Sequence, residues 1–326
     1  MPSRNKDQPS IEPSLEFQWR FLGPKFWSTW ILLGLLWLVM FLPRTWVMGL
    51  GAWVGDQFRK RNKKRRRIAE VNIALCFPEL DPQQQQQLCI EHFRCHGRGL
   101  VDMGLSLWGS ESRLRKLVSL EGFESHRQLV QKQNVLVVTW HLTTLEISAN
   151  VLTLAGDSVS MMKPLSSPLL TWQIARGRRH LHAGDPILVT RSTGLRPLLR
   201  GLRNGRQCIL LPDEDLGDQE SGRVFVPFFG VSRVNLTTPG RLAKSAKAAV
   251  VTCATRLNPE TGKYVFTISP PLENIDGKDA EADAVAISQA MEQMIGQAPE
   301  QYMWTFRWFR TRPDGSDSPY DPVARS

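Results

Sequence analysis

A strongly apolar run ends in two titratable side chains in the stretch Val135-Leu-Val-Val-Thr-Trp-His-Leu-Thr-Thr-Leu-Glu146. Its β-branched part, 135–140, is typical of a buried strand, and a helix is predicted to begin near Thr143. A histidine at a strand end can accept a proton at neutral pH, and a carboxylate can fix its tautomer. On one continuous helix His141 and Glu146 would lie roughly 140° apart, so a turn between them favours contact. The stretch therefore predicts a general base, His141, held by Glu146.

Structural interpretations of these residues stay open at this point. Thr143 and Glu146 have the spacing of a capping box, in which the glutamate only closes the start of a helix. A histidine beside a strand is also common as a satisfied structural residue. The interpretations are compatible, because a capped helix can hold Glu146 in place.

Short apolar runs alternate with amphipathic ones after about residue 120, and residues 68–118 are predicted to be helical. The candidate strands are 135–140, 158–162, 186–190, 207–211, 249–254 and 263–268. The candidate helices are 144–155, 168–178, 194–204, 238–247 and 279–296. This alternation predicts an α/β fold, in which ligands bind beyond the carboxyl ends of the strands. His141 and Asp213 both follow a predicted strand.

Residues 26–42 form an uncharged run of 17 residues that is rich in tryptophan. That length is at the lower limit for crossing a bilayer, and tryptophan favours the interface. The run predicts a membrane anchor, either spanning or lying deep in the interface, and a buried core helix is the alternative. No small-residue cleavage site follows, which argues against a removed signal peptide.

The run Arg59–Arg67 contributes eight positive charges to a net charge of +10. Basic clusters beside a membrane segment bind anionic headgroups and mark the cytoplasmic side. Nucleic-acid binding is the less favoured interpretation, because no aromatic residues interleave the run and no nucleic-acid motif accompanies it.

Other segments carry candidate chemistry with equally plain structural alternatives. Asp213 and Asp215 follow a predicted strand and can act as acid and base or bind a cation, although acidic loops are commonly solvated turns. Arg178 lies in a basic helix end, which suits a substrate phosphate or simply the helix dipole. The apolar stretch 224–230 is either core or a wall for an acyl chain.

Several classes of site are disfavoured. The five cysteines form no C-x-x-C pair, and the histidines at 92 and 96 lack an evident third metal ligand. No G-x-S-x-G, Walker or G-x-G-x-x-G motif is present, which argues against an α/β-hydrolase, a P-loop NTPase and a Rossmann dehydrogenase.

Taken together, these segments resemble the late acyltransferases of lipid A biosynthesis, the lauroyl/myristoyl transferase family. The resemblance covers nearly the whole chain and rests on an ordered set of motifs. They are Leu22-Gly-Pro-Lys-Phe-Trp27, Val71-Asn-Ile-Ala-Leu-Cys-Phe-Pro-Glu79, His141-x4-Glu146, Gly177-Arg178, Arg196-Pro-Leu-Leu-Arg-Gly-Leu-Arg203, Leu211-Pro-Asp213-x-Asp215-x-Gly217, Val224-Phe-Val-Pro-Phe-Phe-Gly230 and Pro299-Glu-Gln-Tyr-Met-Trp304. The chain departs from the family at Ser166 and Ser167, where asparagine is usual, at Glu214, and at Phe306, where histidine is common.

The resemblance implies a mixed central sheet flanked by helices, as in glycerolipid acyltransferases, with an N-terminal membrane-anchoring helix. It divides the chain into a tail and anchor at 1–58, a basic juxtamembrane and helical region at 59–118, and an α/β acyltransferase core at 119–326. It implies an enzyme of the bacterial inner membrane, facing the cytoplasm. No metal or other cofactor is implied.

The implied reaction moves a medium-length acyl group, lauroyl more than myristoyl, from acyl carrier protein to a hydroxyl on an acyl chain of a Kdo-bearing lipid A precursor. The implied catalytic pair is His141 and Glu146, and the implied substrate-binding residues are Arg178, Asp213 and Asp215. The expected partners are acyl carrier protein, the lipid A precursor and anionic membrane lipid, without nucleic acid. The alternatives are an acyltransferase with a glycerophospholipid or glycolipid acceptor, and a non-enzymatic protein that binds membrane or nucleic acid.

Overall fold

A computed structural model describes residues 16–181, 186–215, 222–273, 275 and 277–320. The helices are α1 (Trp27–Val39), α2 (Arg44–Arg61), α3 (Lys63–Cys76), α4 (Pro82–Val101), α5 (Met103–Trp108), α6 (Glu111–Leu117), α7 (Phe123–Lys132), α8 (Leu145–Thr153), α9 (Pro168–Gly177), α10 (Arg196–Arg203), α11 (Thr238–Ala246) and α12 (Ala280–Gly296). The strands are β1 (Val118–Glu121), β2 (Val135–Val138), β3 (Ser158–Met161), β4 (Ile187–Val189), β5 (Gln207–Leu210), β6 (Arg223–Phe228), β7 (Val231–Leu236), β8 (Ala249–Asn258) and β9 (Lys263–Ile268). Gly217, at the end of the acidic motif, lies outside the described residues.

Seven strands form a mixed sheet in the order β1-β9-β8-β2-β5-β3-β4. Five neighbouring strands, from β8 to β4, run parallel to one another. Strand β9 is antiparallel to β8, and the edge strand β1 is parallel to β9. The central strands β2 and β5 are buried along their whole length, as expected for parallel strands covered on both faces. The predicted α/β fold with a mixed sheet is confirmed. All six candidate strands and five candidate helices are present, β9 with the predicted ends and the others with at least one shifted end.

Three strands were not predicted from the sequence. Strand β1 begins where the predicted helical region ends, and it pairs with β9 at the edge of the sheet. Strands β6 and β7 form a separate antiparallel hairpin, which covers the stretch interpreted as core or acyl wall. Phe228 in this hairpin is fully buried and packs on Tyr302 and Trp304, so the core interpretation describes that residue.

The N-terminal helix α1 packs on the body of the protein along one narrow stripe. Leu33 is its only buried residue, so the alternative of a buried core helix is wrong. Trp30 contacts Trp172 of α9 at 6.3 Å between ring centroids, and Phe21 and Leu169 join the same apolar cluster. None of the described helices combines the length and apolarity that crossing a bilayer requires. A membrane anchor at 26–42 stays a prediction.

Helices α2 and α4 approach each other closely through glycine. A Cβ atom built on Gly55 would lie 2.0 Å from the Phe93 carbonyl oxygen, and one on Gly97 would lie 2.2 Å from the Gly51 carbonyl oxygen. A Cβ built on Gly49, which is on α2 but exposed, meets nothing within 4 Å. The contact between these helices therefore depends on particular glycines.

We expect Gly55→Ala to lower the free energy of unfolding, because overpacking at a close contact costs about 1–3 kcal/mol. Gly49→Ala, the matched control, should be neutral or raise stability by up to about 1 kcal/mol through helix propensity. Thermal or urea unfolding of the two variants checks this. Equal stability of both variants would contradict the close helix contact.

Candidate active site

The side chains of His141 and Asp213 meet at the carboxyl ends of two neighbouring strands. The register pairs Val138 of β2 with Leu210 of β5, and each functional residue follows three positions later. His141 Nδ1 lies 2.8 Å from Asp213 Oδ1, and the His141 backbone N–H donates to Asp213 Oδ2 at 2.9 Å. One carboxylate therefore fixes both the ring and the backbone of the histidine.

The pKa values of the pair move apart. Burial by itself lowers the pKa of His141, but the charge and hydrogen bond of Asp213 outweigh it and raise that pKa above its ordinary value. Burial by itself raises the pKa of Asp213, but His141 and then Arg233 outweigh it and hold that pKa below its usual range. The carboxylate is thus anionic, and the imidazole donates from Nδ1, which leaves Nε2 as the basic nitrogen.

Glu146 contacts Arg178 rather than His141. It lies in the first turn of α8, and Arg178 is the C-cap residue directly after α9. Arg178 donates from Nε to Glu146 Oε2 at 3.0 Å and from Nη2 to Oε1 at 2.7 Å, a bidentate pair. The expectation that Glu146 holds the imidazole is wrong for this structure, because Asp213 occupies Nδ1 and Arg178 occupies both carboxylate oxygens.

The capping box interpretation also fails. Thr144, not Thr143, is the residue at the start of α8, and its side chain makes no capping hydrogen bond. The Thr144 hydroxyl instead donates to the Thr255 carbonyl oxygen at 2.6 Å, which ties the helix start to β8. Glu146 is therefore not part of a capping box, and its carboxylate pairs with Arg178 instead.

His141, Glu146 and Arg178 line one cavity of about 170 Å³. Its other walls are mainly apolar and come from strand ends and helices on both sides of His141. They are Leu145, Ala149, Ser160, Met161, Met162, Lys163, Leu165, Ile174, Ile209 and Leu211. The cavity therefore combines a proton acceptor, His141, and a cation fixed by its ion pair, Arg178, with apolar walls that suit a hydrocarbon chain.

Two aromatic rings of the C-terminal segment, residues 299–311, lie against the imidazole of His141. Phe306 and Trp308 lie 5.0 Å and 5.8 Å from His141 between ring centroids. The Met303 backbone N–H donates to the His141 carbonyl oxygen at 3.0 Å, and Leu142 bridges Tyr302. The segment thus fixes the backbone on which the histidine stands.

Asp215, the third acidic candidate, faces the C-terminal segment. Its carboxylate accepts from the Thr311 backbone N–H at 2.8 Å and from the Thr311 hydroxyl at 3.0 Å. Asp213 is 1% exposed and accepts from His141 and Tyr302, so both carboxylates are hydrogen-bonded to protein groups. Among the residues that the structure describes, no group of three potential metal ligands comes together.

Comparison with known proteins identifies the family. The sequence profile described as "Bacterial lipid A biosynthesis acyltransferase" matches residues 14–311. The chain belongs to that family. It is accordingly an O-acyltransferase of lipid A biosynthesis.

Three relatives from Escherichia coli (strain K12) differ in the acyl group that their names give. The chain is 32% identical to a lipid A biosynthesis lauroyltransferase, over 94% of this chain and 98% of the relative. It is 33% identical to a palmitoleoyltransferase, over 94% and 99%. It is 26% identical to a myristoyltransferase, over 94% of each. The lipid A acyltransferase is thus similar to enzymes named for chains of different length.

Two residues next to this site, Tyr302 and Arg233, were not predicted from the sequence. The Tyr302 hydroxyl lies 3.2 Å from Asp213 Oδ2, and Arg233 Nη1 lies 3.0 Å from the Tyr302 hydroxyl oxygen. Tyr302 is part of the quoted motif at 299–304, where no role was given to it. Arg233 lies on β7 beside the polar residues Ser232 and Asn235, in a segment with no predicted strand, so the sequence carried no signal of its role.

We expect Asp213→Asn to lower the pKa of His141 below its ordinary value, because the charge that raises it is lost while burial stays. NMR titration of the labelled histidine ring measures this. Asp215→Asn is the matched control, since Asp215 contacts Thr311 instead of the imidazole. An equal shift in both variants, or none in Asp213→Asn, would contradict the pairing.

Proposed function

We propose that the protein transfers a medium-length acyl group from acyl carrier protein to a hydroxyl on an acyl chain of a Kdo-bearing lipid A precursor. The observation that carries this proposal is the contact of His141 with Asp213 at the wall of an apolar cavity. The contact leaves a neutral imidazole nitrogen for the hydroxyl, and the apolar wall suits the chain beside it. No nucleophilic serine or cysteine is required.

In the proposed reaction, His141 Nε2 removes the proton of the acceptor hydroxyl as its oxygen attacks the thioester carbon. The carbonyl oxygen becomes an oxyanion in the tetrahedral intermediate. When the intermediate collapses, the carbon–sulfur bond breaks, and the proton held by His141 passes to the departing thiolate. An ester and a free carrier thiol result, and the histidine returns to its neutral form.

The Arg178–Glu146 pair suits stabilisation of that oxyanion. Glu146 engages Nε and Nη2 of Arg178, which lines the cavity, so Nη1 is the guanidinium nitrogen that this pair leaves for a substrate oxygen. A donor already fixed in place costs little reorganisation when charge develops. Glu146 is then a positioning residue for Arg178, and Asp213 is one for His141. A phosphate of the acceptor is the other ligand that suits Arg178.

The exposed aromatic surface of α1 and α2 suits a membrane interface. Trp46, Trp53 and Lys60 are exposed at intervals of seven residues, which places them on one face of α2. Trp27 and Ile31 are exposed on α1. Because α1 packs on α9, which directly precedes Arg178, a membrane bound at this surface would lie close to the acceptor site. This supports association with a membrane, and we propose that the membrane is the inner membrane and the face the cytoplasmic one.

We favour lauroyl over myristoyl as the transferred group. The support is the higher identity to the lauroyltransferase, 32%, than to the myristoyltransferase, 26%. Palmitoleoyl is the competing assignment, because that relative is 33% identical. The chain-length preference therefore has to be measured on this protein.

His141→Ala should lower turnover about a hundredfold or more, because positioned acid–base catalysis contributes roughly 10²–10⁴. His126→Ala removes another buried histidine, which contacts Gln207 instead, and should keep turnover within about twofold per folded molecule. Transfer from the acyl carrier thioester, followed by mass spectrometry, is the assay. Near-normal turnover in folded His141→Ala protein would refute the general base.

Substrate class is tested by offering carrier-bound chains of several lengths with a Kdo-bearing lipid A precursor or with lysophospholipid. We expect lauroyl transfer to the lipid A precursor to be fastest. Transfer to lysophospholipid alone would refute the acceptor. Preference for a palmitoleoyl chain would refute the chain length and leave the site chemistry in place.

The change of Lys60, Arg61, Lys63 and Lys64 to Gln should weaken binding to anionic vesicles, since each basic residue near such a surface contributes about 1 kcal/mol. The loss should shrink at high salt, where the charges are screened. The same number of changes at Lys116, Lys132, Lys247 and Lys263, which are also exposed, is the matched control. Equal loss in both sets would exclude a localised membrane contact, as would retention of binding in both.

A further inference from the structure

Arg233 is a buried cation behind the His141–Asp213 pair. It lies on β7, is fully shielded from solvent, and has its guanidinium carbon 3.8 Å from the ring centroid of Phe228. Its Nη2 makes only a weak contact of 3.6 Å with Met291 sulfur, and Nε has no hydrogen-bond partner. Within the described part of the chain, no carboxylate forms an ion pair with it. A buried charge is costly unless something compensates it, so its location calls for a reason.

Tyr302 connects this cation to the catalytic carboxylate. Arg233 Nη1 donates to the Tyr302 hydroxyl oxygen at 3.0 Å, so the hydroxyl hydrogen is free to point towards Asp213 Oδ2, 3.2 Å away. The tyrosine ring stacks on Trp308 with a centroid distance of 5.1 Å and an angle of 20°. The chain of donors therefore runs from Arg233 through Tyr302 to Asp213, and Asp213 accepts from His141.

The donors are divided between the two oxygens of Asp213. Oδ1 accepts from the His141 ring, while Oδ2 accepts from the His141 backbone and from Tyr302. A second group of the same residue types, Arg44, Asp102 and Tyr264, has a different arrangement. There the guanidinium donates directly to both carboxylate oxygens, at 2.6 Å each. By acting through Tyr302, Arg233 leaves Oδ1 to the imidazole.

We propose that Arg233 and Tyr302 are positioning residues that orient Asp213, offset part of its negative charge, and so set how readily His141 takes up a proton. Neither residue lines the catalytic cavity, so both act through Asp213. The hairpin β6–β7, which stands outside the main sheet, supplies the cation and the aromatic ring beneath it. This inference rests on the proposed role of His141 as the base.

The need for such an offset follows from the chemistry. A buried carboxylate with no compensation would bind the imidazolium so strongly that little neutral base would exist near pH 7. The charge of Arg233 lowers the pKa of Asp213, after the larger influence of His141. By linkage, any nearby positive charge also makes the pair release its proton more easily.

Other charged residues around the His141–Asp213 pair also influence the pKa of His141. Glu214 raises the pKa of His141 and Arg191 lowers it, both with smaller influence than burial and Asp213. Arg65 lies over the Phe306 ring that contacts the imidazole. Glu146, Arg178 and Lys163 also line the cavity, Glu292 lies near Arg233, and Asp215 accepts from Thr311. Within the described residues none of them forms a hydrogen bond with Asp213, whereas Tyr302 does.

The test is NMR titration of the His141 ring in the full-length protein, with Tyr302→Phe and Arg233→Met. Loss of the hydroxyl donor or of the cation should move the protonation midpoint of the pair to higher pH. Tyr264→Phe is the matched control, because it removes a buried hydroxyl donated to Asp102, away from His141. Its midpoint should equal that of the unaltered protein.

The acidic side of the pH profile of kcat/KM should shift together with the protonation midpoint of the His141–Asp213 pair. Near pH 6 both variants should lose roughly three- to tenfold in kcat/KM relative to the unaltered enzyme, and near pH 9 the loss should fall to about twofold or less. A network with a structural role alone would lower the rate equally at every pH.

A midpoint in Tyr302→Phe that is unchanged or lower would overturn the proposal. Tyr302→Phe decides the matter if Arg233→Met fails to fold. The ring titration needs no turnover, so it separates this inference from the proposed function: full activity of His141→Ala would refute the base, while a shifted midpoint would still establish the network.

Discussion

One hydrogen-bonded contact, between His141 and Asp213, organises the active site. It exists because β2 and β5 are parallel neighbours in register, so equal steps beyond their ends bring the two side chains together. Both strands are buried along their whole length, and the loops beyond the carboxyl ends of such strands are the usual place for ligands. The contact fixes the tautomer of the histidine and leaves one nitrogen for chemistry. The bidentate pair of Glu146 with Arg178 is then a second, separate unit on the same cavity.

The environment behind the pair comes from elements far apart in the sequence. The C-terminal segment supplies the rings of Phe306 and Trp308 and the hydroxyl of Tyr302. The hairpin β6–β7 supplies Arg233, whose charge would be too costly in this interior without the aromatic ring and the carboxylate beyond Tyr302. On the other side, the aromatic contacts of α1 with α9 connect the exposed apolar surface to the helix that directly precedes Arg178. The exposed apolar surface is therefore connected to the cavity through α9, and the cavity to Arg233 through Asp213 and Tyr302.

The local pattern of the sequence was enough to predict the α/β class and the positions of His141 and Asp213 after strands. It was not enough to predict their contact, because the adjacency of β2 and β5 depends on the order of strands in the sheet. Glu146 was assigned to His141 on nearness in sequence, whereas the end of α9 brings Arg178 to it from 32 residues away. Strand β1 is short and only partly buried, so its pattern was weak. Arg233 could not be assigned a role, since its partners Phe228, Met291 and Tyr302 come from three elements.

The central claim is that His141 and Asp213 act as one catalytic unit. A double-mutant cycle with His141→Ala, Asp213→Asn and the combined variant tests it most directly, using single-turnover acyl transfer. If Asp213 acts through His141, the double variant should be no slower than His141→Ala alone, because groups that act as a unit lose their contribution once. Rate losses that multiply would show that Asp213 acts independently of the histidine, and would contradict the account.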